Sequence, residues 1–283
     1  MRDINEYGHY NEAWCPGCGN FDILKALKQT LAELDIAPHQ AAIISGIGQA
    51  AKMPHYITAN GFNGLHGRAL PPAQAVKIVN PELTVIATSG DGCTYGEGGN
   101  HFLAAIRRNV DMVALVHDNQ VYGLTKGQAS PTTLEGQITK TQPFGVTNAP
   151  FNPVEVAIAM RANFVARSFS GNVPHLVETL KAAIAHPGFA LVDVFQPCVS
   201  FNKVNTFGWY KKRCYELGEE YDSTNWHAAI EKANEFDEQI PIGVLYTNDR
   251  SAYGGHLPKD LEYPIGSGSV NHEMFDTIVK KYS

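Results

Sequence analysis

The sequence predicts an α/β protein: a doubly wound, mainly parallel sheet followed by an irregular C-terminal extension. Two observations predict it. Short apolar, β-branched runs alternate with segments of helical spacing from Ala41 to Phe195, which is how consecutive βα units read. Several runs end in glycine turns, where an open parallel sheet places its ligands. From Val199 onward the alternation weakens. The expected division is therefore an α/β domain over residues 1–200 and an extension over 201–283 that wraps a partner rather than folding alone.

Taken in order, the first feature is Trp14-Cys15-Pro16-Gly17-Cys18-Gly19. A Cys-x-x-Cys pair held by Pro and Gly brings two thiolates within reach of one metal. Zinc, an iron–sulfur cluster and a redox disulfide are all compatible with it. Asn20 is placed to cap the helix that follows, whose Ile23, Leu24, Leu27, Leu31 and Leu34 share one face. Residues 41–45 (AAIIS) form a strand that ends in the loop Gly46-Ile47-Gly48-Gln49. Lys52 reads as a solvated surface lysine. His66 sits in NGLHGR, between two small turns. As a lone histidine it is structural, but its place between glycine loops also suits a hydrogen bond to a diphosphate. An alanine-rich helix over 69–79 carries Pro71-Pro72 in its first turn, where proline is tolerated.

The chain is organised around residues 83–123. Residues 83–88 (LTVIAT) read as a buried strand, Gly90-Asp91-Gly92 breaks it, 97–108 is helical, and 112–117 (MVALVH) is a second buried strand closed by Asp118-Asn119. A βα unit returns the second strand beside the first. Asp91 and Asn119, each just past a strand end, therefore converge. A carboxylate and an amide oxygen suit Mg²⁺, which completes its octahedron with phosphate oxygens and water. Gly90 and Gly92 let the backbone approach a phosphate, and the next helix N-terminus favours an anion.

Beyond this unit, a polar stretch bearing Gly and Pro runs from Leu124 to Gly145, long enough to be functional. A helix (153–162), a strand (164–168), a helix (173–186) and a strand (190–195) follow, and Gln196-Pro197-Cys198 ends the last strand on the carboxyl edge. Residues 209–217 and 224–236 read as helical, and 242–246 as an edge strand. Cys214 reads as a buried hydrophobe.

The composition excludes several classes. The chain has 283 residues, 44% of them hydrophobic, a formal net charge of -6 and no basic stripe, so nucleic acid is not an expected partner. No apolar run is long enough to span a bilayer, and the N-terminus has no signal-peptide core. Five cysteines, two of them in Cys-x-x-Cys, suit a reducing, cytoplasmic compartment.

Gly-Asp-Gly, 26 residues from Cys93 to Asp118, then Asn119 resembles the thiamine diphosphate signature. The resemblance implies Asp91, Asn119 and the Val121 carbonyl on Mg²⁺. It implies backbone contacts from Gly92, Cys93, Gly123 and Leu124 to the diphosphate.

With WCPGCGNF, SGIG, LHGRA, GDG, RRNVDM, HDNQVYGLTKGQASPT and LVDVFQPC, the chain from Trp14 to about Leu217 resembles the β subunit of 2-oxoacid:ferredoxin oxidoreductases. That resemblance implies a thiamine diphosphate-binding fold of the pyrophosphate type. It implies a cofactor site shared with an α subunit, as a heterodimer or α2β2, which supplies the glutamate that activates the cofactor. The implied activity is oxidative decarboxylation of a 2-oxoacid, with coenzyme A taking the acyl group and ferredoxin the electrons, reversible in principle. Ile47, Gly48, Gln49, Ala50 and His66 would lie against the cofactor. Lys126 would attract the substrate carboxylate, and Lys52 would add charge near the entrance. The LTKGQASPT loop resembles the two-subunit 2-oxoglutarate and broad-specificity branch.

One departure stands out. The family binds its 4Fe–4S cluster through four cysteines. Cys15, Cys18 and Cys198 match three of them, but the fourth position is Gln49, and an amide is a poor iron ligand beside thiolate. A 4Fe–4S cluster with a non-cysteine ligand, a 3Fe–4S cluster, rescue by Cys93 and no cluster all remain open at this point. Two other functions follow from the same residues. One is a thiamine diphosphate-dependent 2-oxoacid decarboxylase or carboligase without electron transfer. The other is a non-catalytic subunit whose three cysteines hold zinc.

Overall fold

The computed structural model describes residues 1–254 and 272–282. In chain order its strands are β1 (Ala41–Ser45), β2 (Asn60–Asn63), β3 (Thr84–Gly90), β4 (Met112–Asp118), β5 (Phe164–Phe169), β6 (Phe189–Phe195), β7 (Cys214–Glu216) and β8 (Ile240–Thr247). They form one eight-stranded sheet in the order β2-β1-β3-β4-β6-β5-β8-β7. Every neighbouring pair is parallel except β5–β8. The helices are α1 (Asn20–Glu33), α2 (Leu70–Val79), α3 (Gly99–Arg108), α4 (Pro153–Ala159), α5 (Val173–Ala185), α6 (Phe207–Arg213), α7 (Trp226–Ala233) and α8 (His272–Tyr282).

The central strands are buried on both faces because successive side chains point to opposite sides. Val113 and Leu115 of β4 join Ile23, Leu27 and Leu31 of α1 and Leu176 and Leu180 of α5 on one face. Met112, Ala114 and Val116 join Phe102 and Ile106 of α3, Val154 of α4 and Ala229 of α7 on the other. This is the doubly wound α/β architecture that the alternating runs predict. No helix among the described residues is long and apolar enough to cross a membrane.

Several local expectations change. Asn20 does not cap α1: Gly19 holds that position without a side-chain bond. Asn20 is instead buried, its Oδ1 2.7 Å from His117 Nδ1, because the deeper hydrogen bond outcompetes a cap. The Gly-Asp-Gly break comes late. β3 runs to Gly90, and Gly92–Glu97 forms a π-helical turn before α3, a deformation common at functional sites. The expected helix over 209–217 is split into α6 and the short strand β7. β8 is not an edge strand, since β7 pairs with it on its outer side.

Part of the expected extension belongs to the sheet. Tyr210 of α6 and Ile240 of β8 pack with Phe169 and Phe195. Leu245 and Tyr246 of β8 join the second core face. Much of the tail read as partner-wrapping, residues 255–271, lies outside the described residues.

Candidate active site

Strand order makes the site. β1, β3, β4 and β6 are consecutive in the sheet and parallel, so their carboxyl ends form a row. The loop 46–49 follows β1, Asp91 follows β3, Asn119 follows β4 and Gln196 follows β6. Gln196 N–H donates to the Asp118 carbonyl at 2.8 Å, joining the last two tips.

One cleft at this edge is lined by Ile47, Gly48, Gln49, Ala50, His66, Gly90, Asp91, Gly92, Cys93, Asn119, Val121, Gly123 and Leu124. All candidate cofactor and magnesium residues from the sequence therefore share it. Tyr122 and Thr125 complete it. Gly92 is required by close approach: a Cβ there would lie 2.2 Å from the Tyr122 ring.

Asp91 is 1% exposed. Its Oδ2 accepts from Ser130 Oγ at 2.5 Å and Thr132 Oγ1 at 2.7 Å. Burial raises its carboxyl pKa, and the two hydroxyls pull the other way. Asn119 Oδ1 accepts from Val121 N–H at 3.0 Å, which turns the chain at the β4 tip. Asn119 Nδ2 donates to Gln196 Oε1 at 3.2 Å.

Behind Asp91 lies a buried polar chain. Thr132 Oγ1 is also 2.8 Å from Asp118 Oδ1. Burial, then the nearby Asp193 and Asp91 charges, push the Asp118 carboxyl well up. Tyr95 OH donates to Asp193 Oδ1 at 2.6 Å. Burial raises Asp193 to about 6, while Tyr95 and Arg167 act to lower it.

At the cleft rim, Glu97 holds two groups. Tyr122 OH donates to its carboxylate at 3.1 and 3.2 Å. His66 Nδ1 lies 3.1 Å from Glu97 Oε2 but out of line for a hydrogen bond.

A second cavity adjoins the first. It is lined by Trp14, Cys15, Cys18, Asn20, Gln49, Asn119, Gly123, Leu124, Lys126, Gln196, Cys198, Val199, Ser200 and Phe201. The three expected cysteines therefore line one cavity, although Cys15 and Cys18 are 180 or more positions from Cys198. Burial raises Cys18 to about 11, and Cys198 and Cys15 add to the rise. Ser200 Oγ donates to Cys15 Sγ at 3.2 Å, and Gln196 Nε2 to Cys18 Sγ at 3.4 Å. Gln196 thus bridges Asn119 to Cys18. Gln49, Asn119, Gly123 and Leu124 line both cavities.

Two candidates fall elsewhere. Lys126 lines the cysteine cavity, not the cofactor cleft. Lys52 lines neither and donates to the Ala13 carbonyl at 3.2 Å. Sequence reasoning assigned no role to Ser130, Thr132, Asp118, Glu97 or Tyr122. Ser130 and Thr132 stand in the LTKGQASPT motif, which was the available signal. Nothing local marks Asp118 as a partner of Thr132.

The donor sets fit the expected groups. Asp91 is a buried carboxylate without an ion pair among the described residues, and a buried charge calls for a counter-charge. No three of His, Cys, Asp or Glu among the described residues cluster tightly enough for one ion. A magnesium ion would therefore rest on the mixed set of Asp91, Asn119 and the Val121 carbonyl, and a cluster on three separated thiols.

Comparisons with known proteins agree in outline. Residues 38–194 match the thiamine pyrophosphate enzyme C-terminal TPP-binding domain. Residues 198–260 match the C-terminal family of pyruvate ferredoxin oxidoreductase β subunits. The β subunit of 2-oxoacid:ferredoxin oxidoreductase 1 from Aeropyrum pernix is 46% identical over 246 residues, covering 83% of this chain and 77% of that one. The 2-oxoglutarate synthase subunit KorB of Archaeoglobus fulgidus is 38% identical, covering 68% of this chain and 71% of that one. A 2-oxoglutarate:ferredoxin oxidoreductase structure from Magnetococcus marinus, with 2-oxoglutarate, coenzyme A and succinyl-CoA bound, matches with TM-score 0.91 at 34% identity, covering 99% of this chain and 96% of that one.

Proposed function

Because the chain belongs to the β subunits of the 2-oxoacid:ferredoxin oxidoreductases, we propose that it carries the cofactor half of that reaction. With an α subunit, as a heterodimer or α2β2, it converts a 2-oxoacid and coenzyme A to acyl-CoA and CO₂ and passes electrons to ferredoxin. The first substrate to test is 2-oxoglutarate, which the A. fulgidus relative's name and the M. marinus structure both carry. Its place of work is the cytoplasm.

The observation that carries this reading is the row of three adjacent strand tips, β1, β3 and β4, lining one cleft with Asp91 and Asn119. Asp91, Asn119 and the Val121 carbonyl hold Mg²⁺. Backbone at Gly92, Cys93, Gly123 and Leu124 meets the diphosphate. Ile47, Gly48, Gln49, Ala50 and His66 pack against the cofactor. When bound, thiamine diphosphate supplies an electron sink for loss of CO₂ from the 2-oxoacid. Lys126, two positions past Leu124, offers charge to the substrate carboxylate, and Lys52 offers charge outside the cleft. Cys15, Cys18 and Cys198 hold an iron–sulfur cluster beside it.

The test is anaerobic ferredoxin reduction by the αβ enzyme with 2-oxoglutarate and coenzyme A, for wild type and Asp91→Asn. Wild type is expected to reduce ferredoxin. Asp91→Asn is expected to lose both Mg²⁺-dependent thiamine diphosphate binding and turnover. Unchanged cofactor affinity in the variant overturns the site. The Gln49 departure favours a second reading, a decarboxylase or carboligase. CO₂ release with no electron transfer from colourless protein would select it. Zinc without iron or thiamine would select the non-catalytic reading.

A further inference from the structure

Gln49 occupies an unusual position. It lines both the cofactor cleft and the cysteine cavity. Its main-chain carbonyl accepts from Trp14 Nε1 at 2.8 Å, and Trp14 is itself wedged edge-on against Phe21 and Tyr56. Its side-chain Oε1 is buried and meets no donor. A buried amide oxygen left without a partner is costly unless something fills the space beside it.

Neither remaining cysteine is available to replace it. Cys93 Sγ points to the β1 side of the cleft, where Gly67 N–H donates to it at 3.2 Å and Ile47 N–H at 3.5 Å. A Cβ on Gly46 would lie 2.4 Å from that sulfur, so it is packed in place. Cys93 does not line the cysteine cavity. Cys214 opens β7 and packs with Phe169, Phe195 and Tyr210.

We propose that Cys15, Cys18 and Cys198 hold a cluster with one iron that no thiolate holds, at the corner facing Gln49 and the cofactor cleft. This rests on the iron–sulfur reading of the three cysteines given above. Three thiolates anchor three irons, and an amide oxygen is a weak ligand for the fourth. The Ser200 and Gln196 donors stabilise charge on Cys15 and Cys18 and leave the Gln49 corner as the weak one. That iron is removable by a one-electron oxidant such as ferricyanide. The 4Fe–4S core of charge 2+ gives up one electron to ferricyanide and releases Fe²⁺, which leaves a 3Fe–4S core of charge 1+ with all its sulfide.

The experiment uses the anaerobic αβ enzyme, treated with one equivalent of ferricyanide and desalted. Iron and sulfide analysis and electron paramagnetic resonance are the readouts. Wild type is expected to lose one iron per chain, keep its sulfide and gain a three-iron signal. Gln49→Cys is expected to keep its iron and stay silent. Gln49→Ala, which adds no ligand, is expected to lose its iron as wild type does, and thermal unfolding checks that both variants are folded. Wild type that retains all its iron overturns this inference alone. So does Gln49→Cys that loses iron as wild type does. Protein without iron overturns it together with the cluster reading beneath it.

Discussion

Ser130 Oγ donates to Asp91 Oδ2 at 2.5 Å, so the loop after β4 is tied to the carboxylate at the tip of β3. Thr132 adds a second tie at 2.7 Å and also touches Asp118 at 2.8 Å. A hydroxyl has one proton and cannot donate to both carboxylates. Thr132 therefore donates to one of them at a time, and burial raises the pKa of both, that of Asp118 the more strongly.

Removing that link is expected to weaken the metal site. Thr132→Val should lower Mg²⁺-dependent thiamine diphosphate affinity by about 10–100-fold, the usual effect of losing a group that orients a metal ligand. Asp118→Asn, which places an amide beside Thr132 and leaves the Thr132 bond to Asp91, should change it little. Calorimetric titration of the αβ enzyme checks both. Equal affinity in Thr132→Val and wild type would show that the tie does not position Asp91.

Lys126 combines charge with strain. It is exposed and has φ +84°, the left-handed region, which costs a side-chain-bearing residue about 1–2 kcal/mol. Lys126→Ala and Lys126→Gly should both raise KM for the 2-oxoacid, by roughly 10-fold if a charge-assisted contact is lost. Only Lys126→Gly should also raise the melting temperature. Steady-state kinetics and thermal unfolding separate the two effects, and an unchanged KM in both variants removes Lys126 from substrate binding.

His117 makes the fold acid-sensitive. It is fully buried, with Nδ1 2.7 Å from Asn20 Oδ1 and Nε2 3.0 Å from Thr88 Oγ1. Those partners suit the neutral ring, and burial pushes its pKa from 6.5 to about 3. The unfolded chain takes up this proton first as pH falls. The contribution is thus fully present above pH 6.5 and is lost progressively from 6.5 toward 3, at up to about 1.4 kcal/mol per pH unit. Denaturant unfolding of wild type should show this slope, and His117→Gln should flatten it. Parallel profiles would place the acid sensitivity elsewhere.

Gly67 is constrained twice. Its φ is +73°, and a Cβ would lie 2.6 Å from the Glu97 carbonyl. Gly67→Ala should cost roughly 2–4 kcal/mol, combining left-handed strain with overpacking. Because Glu97 also holds Tyr122 and faces His66, cofactor affinity should fall with stability. A melting temperature within a degree or two of wild type would contradict the clash.

Much of the scaffold was legible because it repeats. The buried runs of β1, β3, β4, β5 and β6 are apolar on both faces, which a sequence displays directly. β2 was not legible: Asn60–Asn63 is exposed along its whole length and carries no apolar alternation. It is a strand because β1 offers it a free edge. β8 was misjudged as an edge because nothing near it signals that Cys214–Glu216 will pair with its outer side. Lys52, which the resemblance places near the entrance, lies on the short helical turn at Ala50–His55 and lines neither cavity.

The sequence by itself determined the βα alternation, the glycine turn and asparagine at motif spacing, the three cysteines and the glutamine standing for a fourth. These are local properties, fixed by side-chain size, polarity and backbone freedom along a few residues at a time. Only the tertiary structure decided that four strand tips lie side by side, that Ser130 and Thr132 reach back to Asp91, and that Gln49 stands between cleft and cysteine cavity. Those relations depend on strand order and loop closure. Packing of both sheet faces selects them across the whole chain, and no short window of residues encodes it.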